Sequence, residues 1–263
     1  MKKIALLLMF ATLQLSCSSS DDGNEPLNDV PVHFVFTQNW DGAPIENSDY
    51  ETTSYFNAHG EEIKLSKLDY LISDMTFTNA NGEVFTAGDF NLISAKTGTN
   101  QHFVPNVEIP EGTYTISFTF GFNDEDNSGN YPTLNSANWN VPLMLGGGYH
   151  YMRMEGTFIN SQTDPLPVNF QYHTIRAVDR DELGTITTLT DTSFEVNLGE
   201  VTITDDLEIE IKMNVAEWFK NPNTWDLTQL YTLLMPNYDA QIMMSENGQN
   251  GVFSLGEVGP HDD

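Results

Sequence analysis

Apolar and polar residues alternate with a period of two along much of the chain. The segment from Thr113 to Phe120 reads Thr-Tyr-Thr-Ile-Ser-Phe-Thr-Phe, which puts Tyr114, Ile116, Phe118 and Phe120 on one face. That is the pattern of a half-buried strand. Val32 to Thr37, Ile63 to Phe77, Tyr149 to Phe158 and Val168 to Ala177 predict strands in the same way, and Val84 to Ile93 and Gln101 to Val104 predict shorter ones. Phe194 to Thr202 and Leu207 to Met213 predict a late hairpin that turns at Thr204-Asp205-Asp206. Clusters of Gly, Asn, Asp and Pro separate these runs at intervals typical of sandwiches and barrels. Near the end the period changes, and Val215 to Lys220, Leu227 to Met235 and Asp239 to Glu246 predict short helices. The expected fold is mainly β: one antiparallel β-sandwich or barrel-like domain over residues 30–260, with a few short C-terminal helices.

The first residues do not belong to that domain. Met1-Lys2-Lys3, the apolar run Ile4 to Phe10 and the stretch ending Leu15-Ser16-Cys17 have the plan of a secretory signal peptide over 1–17. Its apolar run is shorter than the about 20 residues that span a bilayer. Cys17 is the single cysteine of the chain, so an internal disulfide is excluded. A cysteine at the cleavage point is explained by lipid attachment, with a free thiol after ordinary cleavage as the alternative. Residues 18–29, from Ser18-Ser19-Ser20-Asp21-Asp22 onward, are small, polar and acidic, the composition of a disordered tether. Cys17 and the five residues after it resemble the surface-export signal of Bacteroidetes-type lipoproteins. The expected place is therefore the outer membrane, facing the periplasm or the cell surface, with membrane contact through the lipid anchor only.

Charge narrows the partners. The chain carries 38 acidic against 10 basic side chains, a formal net charge of −28. Such a surface repels phosphate backbones, which excludes nucleic acid as a partner. No Gly-x-Ser-x-Gly elbow, P-loop or dinucleotide glycine motif is present, and no enzyme is expected. The sequence names no protein partner.

Candidate metal chemistry is dispersed. The histidines are His33, His59, His102, His150, His173 and His261, and none forms a local metal-binding cluster. A site assembled from distant strands suits imidazole and copper. His150 lies between Tyr149 and Tyr151, and alternation along a strand turns it to the solvent side. Met144, Met152, Met154, Met235, Met243 and Met244 offer thioethers to Cu(I), or fill the core. Asp124-Glu125-Asp126-Asn127-Ser128-Gly129 resembles the first half of a calcium loop, although Asn135 stands where the bidentate glutamate belongs.

Four segments in order carry a family resemblance. They are Tyr55-Phe56-Asn57-Ala58-His59-Gly60-Glu61 with Tyr70-Leu71-Ile72-Ser73; Ile109-Pro110-Glu111-Gly112-Thr113-Tyr114 with Phe118 to Asn123; Gly147-Gly148-Tyr149-His150 through Glu155-Gly156; and Phe170-Gln171-Tyr172-His173. Trp218-Phe219-Lys220-Asn221-Pro222 extends the likeness toward the end of the chain. Together they resemble the MbnP-like copper-binding family (MbnP/MopE-related). The resemblance implies copper as cofactor, with His33 and His173 as the ligand pair, because the family places its histidines on comparable strands. It also implies an aromatic copper partner, a tryptophan that characterised relatives can oxidise to kynurenine. The family's Met-(Phe/Trp)-x-Trp stretch before the Gly-Tyr strand is replaced here by Trp139-Asn140-Val141-Pro142-Leu143-Met144-Leu145, so that partner has no assigned position. The expected function is a cell-envelope lipoprotein that binds copper or another metal ion. The alternative is a surface-displayed binding or adhesion module that has kept the fold and lost the metal.

Overall fold

The computed structural model describes residues 28–160 and 164–261. The signal peptide, Cys17 and nearly all of the expected tether lie outside the described residues. Nine strands carry the architecture: β1 Val32–Trp40, β2 Glu62–Asn79, β3 Phe90–Ser94, β4 Gly112–Phe120, β5 Met152–Asn160, β6 Asp164–Thr174, β7 Phe194–Ile203, β8 Leu207–Asn214 and β9 Phe253–Pro260. The large sheet has the order β6-β5-β2-β4-β7, with β3 also on β2, and the small sheet runs β9-β8-β1. The mainly β, largely antiparallel fold read from the pattern is the fold observed.

Alternation explains how the sheets meet. On β1 the buried positions are Val32, Phe34, Phe36, Gln38 and Trp40, and on β8 they are Leu207, Ile209, Ile211 and Met213. The register pairs Leu207 with Val32, Ile209 with Phe34 and Ile211 with Phe36, so the two strands bury one common face. That face packs on the large sheet through Phe34 and Phe77, whose ring centroids are 5.8 Å apart, and through Phe253 and Phe118 at 5.3 Å. Burying each such side chain contributes roughly 1.5–3 kcal/mol. Gln38, buried among them, receives a bond from Gln101 Nε2 and donates to the Tyr70 hydroxyl. Its polar atoms are thereby paired, as burial requires.

Several expectations need correction. β7 and β8 do not form a hairpin: β7 pairs with β4 in the large sheet, whereas β8 pairs with β9 and runs parallel to β1 in the small one. The turn at 204–206 therefore crosses from one sheet to the other. The run Val84 to Ile93 is broken at Gly88, whose φ of +95° is left-handed, into Val84–Thr86 and β3. The run Val168 to Ala177 is likewise split, because β6 ends at Thr174 and a separate hairpin, Ala177–Arg180 with Ile186–Thr190, follows. Leu227 to Met235 is not helical. Asp226 Oδ1 accepts from the Thr228 amide and Leu233 adopts a φ of +55°, so the chain turns there. The other two helical expectations hold, as a 3-10 turn at Val215–Phe219 and as helix α1, Tyr238–Gly248. Asn214 and Asn237 cap these two, each accepting from a backbone amide two or three residues on.

Candidate metal centre

β5 and β6 alternate between two faces. Met152, Met154 and Tyr172 are buried toward the core, where Tyr172 packs on Trp225 at 4.6 Å. Arg153, Glu155 and His173 occupy the intervening, half-buried positions on the outer face of the large sheet. The loop before β5 folds over this face and brings two more side chains to it, Trp139 and His150.

The loop is held from below and from both sides. Asn140 bridges to Tyr149, and the Val141 amide donates to the Gly148 carbonyl. Gly146, Gly147 and Gly148 all have left-handed φ, of +99°, +69° and +77°. At Gly148 a Cβ would lie 2.4 Å from Asn127 Oδ1, so only glycine fits. Buried Asn127 accepts there from the Tyr149 amide and donates to the Tyr151 hydroxyl. Tyr151 in turn donates its amide to the Thr174 carbonyl and accepts from the Leu71 amide. Because the backbone from 149 to 151 is irregular and β5 begins only at Met152, alternation does not apply to it. Tyr149, His150 and Tyr151 are all buried, which corrects the solvent-facing expectation for His150.

The resulting geometry places the His150 ring edge-to-face against His173, with centroids 5.6 Å apart and planes at 82°. Trp139 lies on the other side of His150 at 5.7 Å, its Nε1 buried without a hydrogen-bond partner among the described residues. Each imidazole has one nitrogen held by polar neighbours. His150 Nδ1 is 2.9 Å from the Trp139 carbonyl, and His173 Nε2 is 2.9 Å from Glu155 Oε1. Glu155 assigns the ring proton of His173 to Nε2, whereas His150 Nδ1 sits between the Trp139 carbonyl and, at 3.1 Å, the Arg153 guanidinium Nη2. His150 Nε2 and His173 Nδ1 have no hydrogen-bond partner among the described residues. Burial, reinforced by the Arg153 guanidinium, pushes the His150 pKa down to about 3. Burial also lowers His173, against the opposing pull of Glu155. Both rings are therefore neutral, the form that binds metals. Arg153 lies 4.4 Å over the Trp139 ring and donates to the Asn138 carbonyl. Gln241 of α1, buried, fixes the end of β6 by accepting from the Ile175 amide and donating to the His173 carbonyl.

His33 is elsewhere. It occupies an outer-face position of β1 in the small sheet, 3.0 Å from Asp206 Oδ1, with its ring stacked on His261 at 3.7 Å and 10°. The sandwich core separates it from His173, so the structure does not bring the expected pair together. It gives His173 a different partner, His150. The sequence carried one signal for this, the tryptophan Trp139 ahead of the Gly-Tyr segment.

The loop Asp124–Ser128 does not gather oxygens around one point. Asp124 pairs with Arg176 Nε at 3.1 Å, Asp126 accepts from Asn123, and Asn127 is turned into the core. Met152, Met154 and Met244 are core residues, whereas Met144 is exposed. Among the described residues, one set of three His, Cys, Asp or Glu side chains has ligand atoms all within 4.8 Å of one another: His59, Glu61 and Asp226.

The MbnP family model matches residues 29–244. Among solved structures, MbnP from Methylosinus trichosporium is similar over 75% of this chain and 80% of that one, at 13% identity and a TM-score of 0.46. No curated protein matches.

Proposed function

The chain belongs to the MbnP family, and on that premise we propose that it is a copper-binding protein of the cell envelope whose ligands are His150 and His173. One observation carries this reading: two neutral, adjacent imidazoles, each with one nitrogen held by polar neighbours and the other without a hydrogen-bond partner among the described residues. Outer partners of this kind, a backbone carbonyl and a carboxylate, orient metal-ligating histidines. Imidazole nitrogen suits copper in either common oxidation state. Trp139, packed against His150, is an aromatic neighbour of the kind that the resemblance implies. Glu155 compensates the positive charge of Arg153 beside the pair.

Bound copper would supply a cation held for storage or transfer. In this reading the residues of the chain position and desolvate it, and the role is binding without turnover. Attachment through a lipid on Cys17 would place it on the outer membrane, with no contact to nucleic acid. The test is competitive titration of the chain, made without a histidine tag, with Cu(I) and Cu(II), beside the His150→Ala/His173→Ala double variant. One equivalent of copper, lost in the variant, is the expected result. Copper retained by the variant, or by neither protein, would overturn the reading, and absence from both would favour the adhesion module that has kept only the fold.

A further inference from the structure

A second cluster lies away from the His150–His173 face, where the turn into β2 meets the loop that follows the Val215–Phe219 turn. Asn57 builds it. Its Oδ1 accepts from the Gly60 and Glu61 amides at 2.9 Å each, closing the turn, and its Nδ2 donates to the Trp225 carbonyl at 3.3 Å, tying that turn to the second loop. Gly60, at a φ of +102°, permits the reversal. Three side chains then converge. His59 Nδ1 is 2.7 Å from Glu61 Oε1 and 3.7 Å from Asp226 Oδ1. Asp226 Oδ1 is itself oriented by the Thr228 amide and hydroxyl.

Glu61 makes this more than a surface ion pair. It is only 3% exposed, and the second oxygen of the carboxylate that meets His59, Oε2, is buried with no hydrogen-bond partner among the described residues. A buried carboxylate oxygen left unpaired costs on the order of 1–3 kcal/mol or more, so such groups ordinarily find a donor or a cation. We propose that His59, Glu61 and Asp226 bind a divalent cation of intermediate hardness, zinc or manganese. Two carboxylates balance the double charge. One imidazole with two oxygens matches that class better than the all-oxygen shell preferred by calcium. The metal takes the place of the proton between His59 Nδ1 and Glu61. Bonds of roughly 2.0–2.2 Å at a tetrahedral zinc set two ligand atoms about 3.3–3.6 Å apart, so that 2.7 Å contact opens by about 0.6–0.9 Å as the metal enters. Three protein ligands leave the remaining positions to water. The site shares no residue with the copper pair, so either stands if the other fails.

The experiment uses the full chain, expressed and exported without a histidine tag, dialysed against Zn2+, Mn2+ or Ca2+ in separate arms and assayed for bound metal. One equivalent of Zn2+ or Mn2+ is expected in the wild type and in His150→Ala/His173→Ala. Affinity is expected to fall at least tenfold in His59→Ala and in Asp226→Asn, both at accessible positions where the fold survives. Glu61→Gln, isosteric and buried, is expected to lose the metal while keeping the far-ultraviolet spectrum. Binding unchanged in His59→Ala and Asp226→Asn, a preference for Ca2+, or no retained metal in the wild type would overturn the proposal and leave a hydrogen-bonded ion pair.

Discussion

Two faces of the sandwich each present a pair of histidines beside carboxylates, and the two pairs differ in the angle between their rings. On the small sheet, His33 and His261 stack nearly parallel at 3.7 Å, with Asp206 and Glu208 beside them. Ring nitrogens hold their lone pairs in the ring plane. Two parallel stacked rings therefore direct them along separate planes rather than at one point. On the large sheet, His150, buried, and His173, half-buried, meet edge-to-face at 82°, both neutral and each held through one nitrogen. Proximity of two histidines is thus weak evidence. What distinguishes a site is the angle between the rings, the fate of each nitrogen, and the structure that holds them still.

The sharpest way to break the comparison is to remove each pair in turn. His150→Ala alone is expected to weaken copper binding by about 100-fold, since loss of a metal-bound imidazole removes a whole coordinate bond. His33→Ala/His261→Ala is expected to leave it within a factor of two, as read by competition with a chromophoric chelator. The supports of the large-sheet face come next. Gly148→Ala forces a Cβ against Asn127 Oδ1 at a left-handed φ, and is expected to destabilise by about 2–4 kcal/mol, read as a lower thermal midpoint together with weakened copper binding. Asn127→Ala leaves the Tyr149 amide without its acceptor and opens a small cavity, at a cost of about 1–3 kcal/mol in denaturant unfolding. Glu155→Gln frees the His173 ring from its carboxylate anchor, and an affinity loss of about tenfold is expected in the same titration. The smallest effect belongs to the other face. His33→Ala breaks an exposed pair with Asp206 and is expected to change stability by less than about 0.5 kcal/mol.

What the sequence revealed follows the physics of strands. The period of two in β1, β4 and β8 is imposed by burial of one face against the opposite sheet, and it places their core residues correctly, whereas β2 breaks it where Tyr70, Leu71, Ile72 and Ser73 are all buried. The partner of a strand is not written in its period. Leu207 to Met213 alternates as cleanly as a hairpin strand, yet pairs in parallel with Val32 to Gln38, far away in the chain. The site was less legible, because it is built from loops. His150 was assigned to solvent by extending strand alternation to residues where three left-handed glycines and Asn127 set the backbone instead. Asn127 itself sits in a run that reads as a cation loop, and its work is to hold the Tyr149 amide. The family resemblance points to His173 and Trp139 precedes the Gly-Tyr segment, whereas the role of His150 is visible only once the loop is folded over the sheet. Glu61 gave no signal as one acid among 38. Its burial beside His59 is a property of the folded turn.

The most direct measurement is X-ray absorption at the copper edge on the Cu(I)-loaded chain, beside the His150→Ala/His173→Ala variant. The expected spectrum has two imidazole nitrogens around copper, with the multiple scattering characteristic of histidine rings, and this signature disappears from the variant. A first shell of thioether sulfur, or histidine scattering that persists without His150 and His173, would contradict the assignment of copper to this face of the large sheet.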